Sequence, residues 1–166
     1  MAIDWSTDLF WSIDPGESKC GVAIFHRGRC VQALQSTPDV CLDKLWEHLG
    51  FGAPVARPAG LVIERFALRP DLAHQQTGSE MGTSQMIGAV RWMARHRSTP
   101  LVVQTPSQAH SLEKSAAWKD RPLRWWASYG HGRDAKMAEL HGYFRISTSM
   151  SGASERARWL AALGTE

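Results

Sequence analysis

The chain contains no apolar run long enough to span a membrane, and no secretory-leader pattern opens it. Both absences predict a cytoplasmic protein with no membrane partner. Cysteine is scarce: Cys20, Cys30 and Cys41 are odd in number and lack the paired spacing of a zinc site. They read as free thiols of a reducing compartment. There is no internal repeat and no compositional break to mark a second domain, so residues 1–166 are expected to form one domain. Within it, residues 1–9 show no period and are expected as a loose arm, and residues 147–166 as a Ser-rich tail with a short helix around Arg156–Leu163.

What is present is an ordinary globular mixture, 43% hydrophobic and 21% charged, in 166 residues. That is enough chain to bury a core. The formal net charge of +3 and a pI near 9.0 are compatible with a polyanionic partner. Tryptophan is abundant, with eight residues. Three of them, Trp118, Trp125 and Trp126, stand among Lys119, Arg121 and Arg124 in "WKDRPLRWW". Two readings are open for this stretch: indoles anchored in a core, or a surface that stacks bases and neutralises phosphates.

Hydrophobic patterning gives the element order. "LFWSI" reads as a strand, "DPG" as a turn, "CGVAIF" and "CVQAL" as strands separated by the hairpin-like break "HRGR". Leu42, Leu45, Trp46 and Leu49 share a helical face that Gly50 ends. "LVIE" follows as a fourth strand, and the intervening helix predicts that it lies parallel to the first. Residues 67–82 are polar and read as a loop. Thr83 or Ser84 caps a helix with Met86, Val90 and Met93 inward. "PLVVQT" is a fifth strand, Pro106 opens a further helix, and "DAKMAELHGYF" is a helix with Met137, Leu140 and Phe144 inward. The sum is an α/β fold with a mixed five-stranded sheet flanked by helices.

Two of these strands finish on an acid: Asp14 and Glu64. As parallel neighbours they meet at the carboxyl edge of the sheet, where open α/β sheets place their sites. Two ionised carboxylates about 4 Å apart repel by roughly 4 kcal/mol at an effective dielectric near 20. Either one takes up a proton or a divalent cation sits between them, and oxygen ligands suit Mg²⁺ or Mn²⁺. Asp134 opens a helix, where the helix dipole favours an anion, and His131 precedes it in "HGRD". Singly, each residue has a plain structural explanation: a turn, an N-cap, a solvated histidine. Their order and placement carry the signal.

"SIDPGESKCGVAIF", "LVIERF", "SQMIGAVRWMARHRSTPLVVQTPSQ" and "HGRDAKMAE" resemble, in that order, segments of the RuvC-like Holliday junction resolvases of the RNase H-like superfamily. The resemblance spans about residues 10–144 and is nearest to the small phage-type members. It implies an endonuclease that cuts branched DNA, most of all Holliday junctions, with two Mg²⁺ or Mn²⁺ ions per site. Asp14 would bridge the ions, and Glu64, His131 and Asp134 would complete their shells. One ion would activate the attacking water and the other would stabilise the leaving 3′ oxygen. It also implies a homodimer, because symmetric cuts need two sites. A phage-encoded member would work in the host cytoplasm.

DNA-binding candidates near these acids are Arg65, Arg69, His110, Lys114, Lys119, Arg121 and Arg124. The chain departs from the family after "PSQ": where members often carry a lysine, this sequence has His110, and its nearest lysine is Lys114. Two alternatives stay open, a catalytically inactive DNA-binding module of the same fold and an actin-like or acetokinase-like ATPase. The ATPase would need further Gly-rich phosphate loops and a longer chain.

Overall fold

The structure, a computed structural model, describes residues 3–50, 57–66, 82–114 and 132–163. Five strands, β1 (Phe10–Asp14), β2 (Cys20–His26), β3 (Arg29–Ser36), β4 (Gly60–Glu64) and β5 (Leu101–Gln104), form one sheet in the order β3-β2-β1-β4-β5. β1 pairs antiparallel with β2, and β2 with β3, while β1–β4 and β4–β5 are parallel. This is the mixed five-stranded sheet of an α/β, RNase H-like fold. The β2–β3 connection is tight because Arg27 (φ 54°) and Gly28 (φ 73°) both take left-handed conformations, as a two-residue hairpin turn requires.

The helices divide between the two faces of the sheet. α1 (Pro38–Leu49) and α2 (Gly82–His96) cover one, while α3 (Pro106–Glu113), α4 (Arg133–Ser149) and α5 (Ala153–Leu163) cover the other. Strand alternation sends Trp11, Ile13, Leu61 and Ile63 to the α1/α2 core, and Phe10, Ala23, Phe25 and Val62 to the α3/α4 core. Among the described residues no helix is long and apolar enough to cross a membrane. Cys20, Cys30 and Cys41 are all free thiols.

Three sequence expectations change. Residues 3–9 are not a loose arm, because Trp5 is buried edge-on against Phe10 at 5.1 Å and Arg145 lies 4.7 Å over its ring. The helix expected over residues 134–144 runs to Ser149, taking the first serines of the expected tail. Ser147 and Thr148 stay helical by donating their hydroxyls to the Phe144 carbonyl. Its inward face also differs. Ala135, Ala138, Leu140, Tyr143 and Ile146 are buried, whereas Met137 and Phe144 pack at the margin. A helix covered by the sheet on one side and by neighbouring helices on another has no single apolar stripe to read.

The contact between α4 and the sheet is close enough to exclude side chains. A Cβ on Gly21 would stand 1.9 Å from the Asp134 carbonyl oxygen, and one on Gly142 would stand 2.1 Å from the Phe25 ring. Gly21→Ala is therefore expected to cost at least about 2–3 kcal/mol, since backbone must move to admit the methyl group. Gly88, exposed in mid-α2 with nothing near its would-be Cβ, is the control. Gly88→Ala should stabilise by roughly 0.5–1 kcal/mol, and urea denaturation of the two variants checks both signs.

Candidate active site

Side-chain parity decides which face the two strand-ending acids occupy. Asp14 shares its face with Phe10 and Ser12, and Glu64 with Val62, so both lie on the side covered by α4. The β1–β4 register, with Ser12 opposite Val62 and Ile13 opposite Ile63, brings Asp14 and Glu64 to the same sheet edge. Asp14 is also the cross-strand partner of Gly21, the residue against which the Asp134 backbone rests. The missing side chain at Gly21 thus admits Asp134, in the first turn of α4, beside Asp14.

Asp14 feels the other two acids through their fields. Burial pushes the Asp14 carboxyl up to about 8, and the nearby Glu64 and Asp134 add to the rise. Arg133 opposes it without cancelling it. Such a site is short of positive charge. Asp134 draws partial compensation from the α4 N-terminus.

Glu64 has a partner that the sequence patterning did not single out. Its Oε2 lies 2.5 Å from Nε2 of His141, and Nδ1 of that ring lies 2.7 Å from Gln104 Oε1. His141 is fully buried and Gln104 nearly so. Gln104 is the β5 residue paired with Glu64 in the sheet. Two turns of helix separate His141 from Asp134, which sets both on one side of α4, and that spacing is the signal that could have found it.

Arg65, His110 and Lys114 are placed less centrally. Arg65 is exposed and lines a cleft of about 550 Å³ with Phe66, Ser84, Arg91 and Thr105. His110, exposed on α3, faces Glu113 at 3.4 Å, and Glu113 is also ion-paired to Lys136 from the first turns of α4. The Lys136 partnership pulls the Glu113 carboxyl below the usual range. Lys114 is exposed at the end of α3. His131, Arg69, Lys119, Arg121 and Arg124 lie outside the described residues, as do Trp118, Trp125 and Trp126.

Among the described residues no group of three or more His, Cys, Asp or Glu side chains is gathered closely enough to hold a metal ion. Asp14, Glu64 and Asp134 meet through their fields rather than as a gathered ligand set. In kind they fit a hard divalent cation: all are carboxyl oxygen donors, and burial with two acids beside it pushes the Asp14 carboxyl up to about 8.

No family model matches the chain. Two curated relatives are crossover junction endodeoxyribonucleases RuvC, from Bifidobacterium longum strain DJO10A and from Bifidobacterium longum subsp. infantis. Each is 27% identical over 112 residues, which is 61% of this chain and 55% of the relative. The match thus spans about half the length of these relatives. A T. thermophilus RuvC in complex with Holliday junction substrate superposes with a TM-score of 0.58 at 13% identity, covering 87% of this chain and 96% of that one. A second Thermus thermophilus RuvC structure superposes at 0.54 with 16% identity, covering 85% and 96%. The chain is RuvC-like in sequence and shares the RuvC fold.

The raised Asp14 carboxyl has a sign that can be tested. Its native value, about 8, lies above the ordinary 3.8, so the folded chain holds a proton that the unfolded chain has lost. Stability is therefore unpenalised below the ordinary carboxylate range, falls as pH rises, and reaches its full penalty above about 8. Without metal, Asp14→Asn should be more stable than the parent, with little gain at pH ~4 and on the order of a few kcal/mol at pH ~8. Glu139, which burial also raises to about 8, is common to both proteins and drops out of the comparison. Mn²⁺ should close most of the gap by stabilising the parent alone, as urea midpoints with chelator and with metal will show.

Proposed function

We propose that this RuvC-like chain is a divalent-metal-dependent endonuclease that cleaves branched DNA, with Holliday junctions as its substrate class. The observation that carries the reading is the convergence of Asp14, Glu64 and Asp134 from three separated chain segments on one sheet edge, where Asp14 is starved of positive charge. An arrangement this acidic repels a phosphodiester unless cations intervene. The relatives and solved structures, all RuvC proteins, support the nuclease over the ATPase alternative.

In this reading Asp14, Glu64, Asp134 and His131 hold the ions, two per site. When bound, the ions would supply the charge that admits the phosphodiester and polarises its phosphoryl oxygen. Asp14, whose carboxyl feels both other acids, would be a ligand common to the ions. Asp134 contributes from the α4 N-terminus, which favours an anion there. Arg65, His110 and Lys114, together with Arg69, Lys119, Arg121 and Arg124, neutralise DNA phosphates. A second copy of the chain supplies the second cut.

Cleavage of a labelled substrate panel (four-way junction, fork, flap and single strand) with Mg²⁺ and with Mn²⁺ tests the activity, and a solution mass tests the dimer. Asp14→Asn should lose roughly 10³-fold or more in cleavage rate, because several kcal/mol of transition-state stabilisation go with the ions it holds. Junction binding by the same variant should persist or tighten, as a negative charge facing DNA is gone. Near-parental turnover by Asp14→Asn would remove it from the site. A parent that binds the junction yet cuts no substrate with either metal returns the chain to the inactive-module alternative.

His131 has its own test. A neutral imidazole ligates metal and an imidazolium does not, so the rate should decline as pH falls through the ordinary histidine range, about 6.5. His131→Ala should lose most activity. His131→Asp should regain part of it and shift the acid limb downward, since a carboxylate stays ionised to lower pH. Rate–pH profiles of the three proteins decide it; an unaffected His131→Ala leaves a site of carboxylates alone.

A further inference from the structure

Three side chains from three elements form a continuous hydrogen-bonded chain behind the proposed site. Glu64 ends β4, His141 lies two turns into α4, and Gln104 ends β5. The contacts are 2.5 Å from His141 Nε2 to Glu64 Oε2 and 2.7 Å from Nδ1 to Gln104 Oε1. Glu64 keeps 18% of its side chain accessible while the imidazole has none. The ring therefore sits behind the carboxylate and not in its place. The backbone locks the far end as well, because Gln104 is paired with Glu64 in the sheet and its carbonyl accepts from Arg65 N. Gln104 is followed at once by α3, whose start is fixed by Thr105 N donating to Gln108 Oε1 at 2.7 Å.

From this geometry we propose that His141, oriented by Gln104, is a positioning residue that makes Glu64 a one-oxygen metal ligand. The inference rests on the metal-dependent reading given above. With Glu64 ionised, Nε2 donates to Oε2 and leaves Oε1 as the oxygen not held by the ring; Nδ1 donates to Gln104 Oε1 when the ring is charged, and accepts from the Gln104 amide nitrogen, turned over, when it is neutral. A carboxylate fixed at one oxygen loses its freedom to rotate or to chelate through both. Mg²⁺ and Mn²⁺ then meet a ligand already ordered. Hydrogen-bonded supports of this kind behind a metal ligand change affinity by about 10- to 100-fold when removed. His141 touches neither the cation nor the DNA in this scheme, so its removal should act on metal occupancy before it acts on turnover.

The test is Mn²⁺ binding by calorimetry to the full chain without DNA, alongside junction cleavage as a function of Mn²⁺. His141→Phe keeps the ring's bulk and loses the donor. It should weaken Mn²⁺ binding about 10- to 100-fold and raise the Mn²⁺ concentration for half-maximal cleavage in parallel, with the rate at saturating Mn²⁺ far less changed. His141→Gln places an amide nitrogen where Nε2 stood and should restore binding to within about threefold of the parent. Melting curves report whether each variant folds. Gln104→Leu, which leaves Glu64 and His141 intact, should weaken Mn²⁺ severalfold and serves if His141→Phe does not fold. Unchanged or tighter Mn²⁺ binding by folded His141→Phe or Gln104→Leu overturns the proposal, and so does a parent that binds no Mn²⁺. Because binding is read without DNA, the two readings fail separately. A His141-dependent Mn²⁺ site in a chain that cuts no junction sinks the nuclease, whereas a cutting parent with indifferent variants sinks only the role of His141.

Discussion

Helix α4 lies on the sheet at a distance set by missing side chains. Gly21 on the sheet and Gly142 on the helix leave no room for a Cβ, and Ala23, Ala33, Ala135 and Ala138 line the same buried layer. Close packing of this kind does not deform gradually. It fixes the height and direction of α4 over β2 and β1, and with them the positions of Asp134 near its start and His141 farther along. The acids of β1 and β4 would end at the same edge without α4. They would lack both the third carboxylate and the imidazole that holds Glu64.

The same layer explains an electrostatic imbalance. Glu64 is met by His141, and Asp134 begins a helix whose first turn favours an anion. Asp14 has burial and two acids around it, with Arg133 as partial relief, and its carboxyl is pushed up to about 8. A fold that only needed stability would gain by replacing Asp14 with a neutral residue. Retaining a buried acid at the meeting point of two others makes sense where an outside cation completes the charge balance. The cationic side chains nearby are engaged differently: Lys136 is ion-paired with Glu113, beside His110 on α3. His110 and Lys136 thus both meet Glu113 on this surface.

On the far face, α1 and α2 are joined through stacked rings. Trp46 and Trp92 stack at 5.7 Å, Trp92 and His96 at 5.1 Å, and the Arg97 guanidinium lies 4.2 Å over Trp46. Leu45, Leu49, Ile87 and Val90 seal the core below them. Among the described residues, Asp14, Glu64 and Asp134 all lie toward the opposite face, so the two sides of the sheet divide support from the candidate chemistry.

The sequence by itself determined the five strands, their mixed pairing and the edge at which the two strand-end acids meet. These follow from local rules: short apolar runs in "FWSID" and "GLVIE" that are buried on both faces, a turn at "DPG", and a helix between β3 and β4 that turns β4 parallel to β1. Asp14, Glu64 and Asp134 could be picked out because each ends or begins an element, where a charge is not required by the core. Trp5 could not be assigned to the core, since an isolated indole before the first strand has no period to betray its burial. His141 escaped for a related reason. Inside a helix buried on several sides it looks like one more interior residue, and its function depends on β5 standing beside β4 in a register that sets Gln104 against Glu64. Cross-strand register and the approach of α4 are long-range packing outcomes. Only the tertiary structure decides them, because the contacts that fix them join residues far apart in the chain.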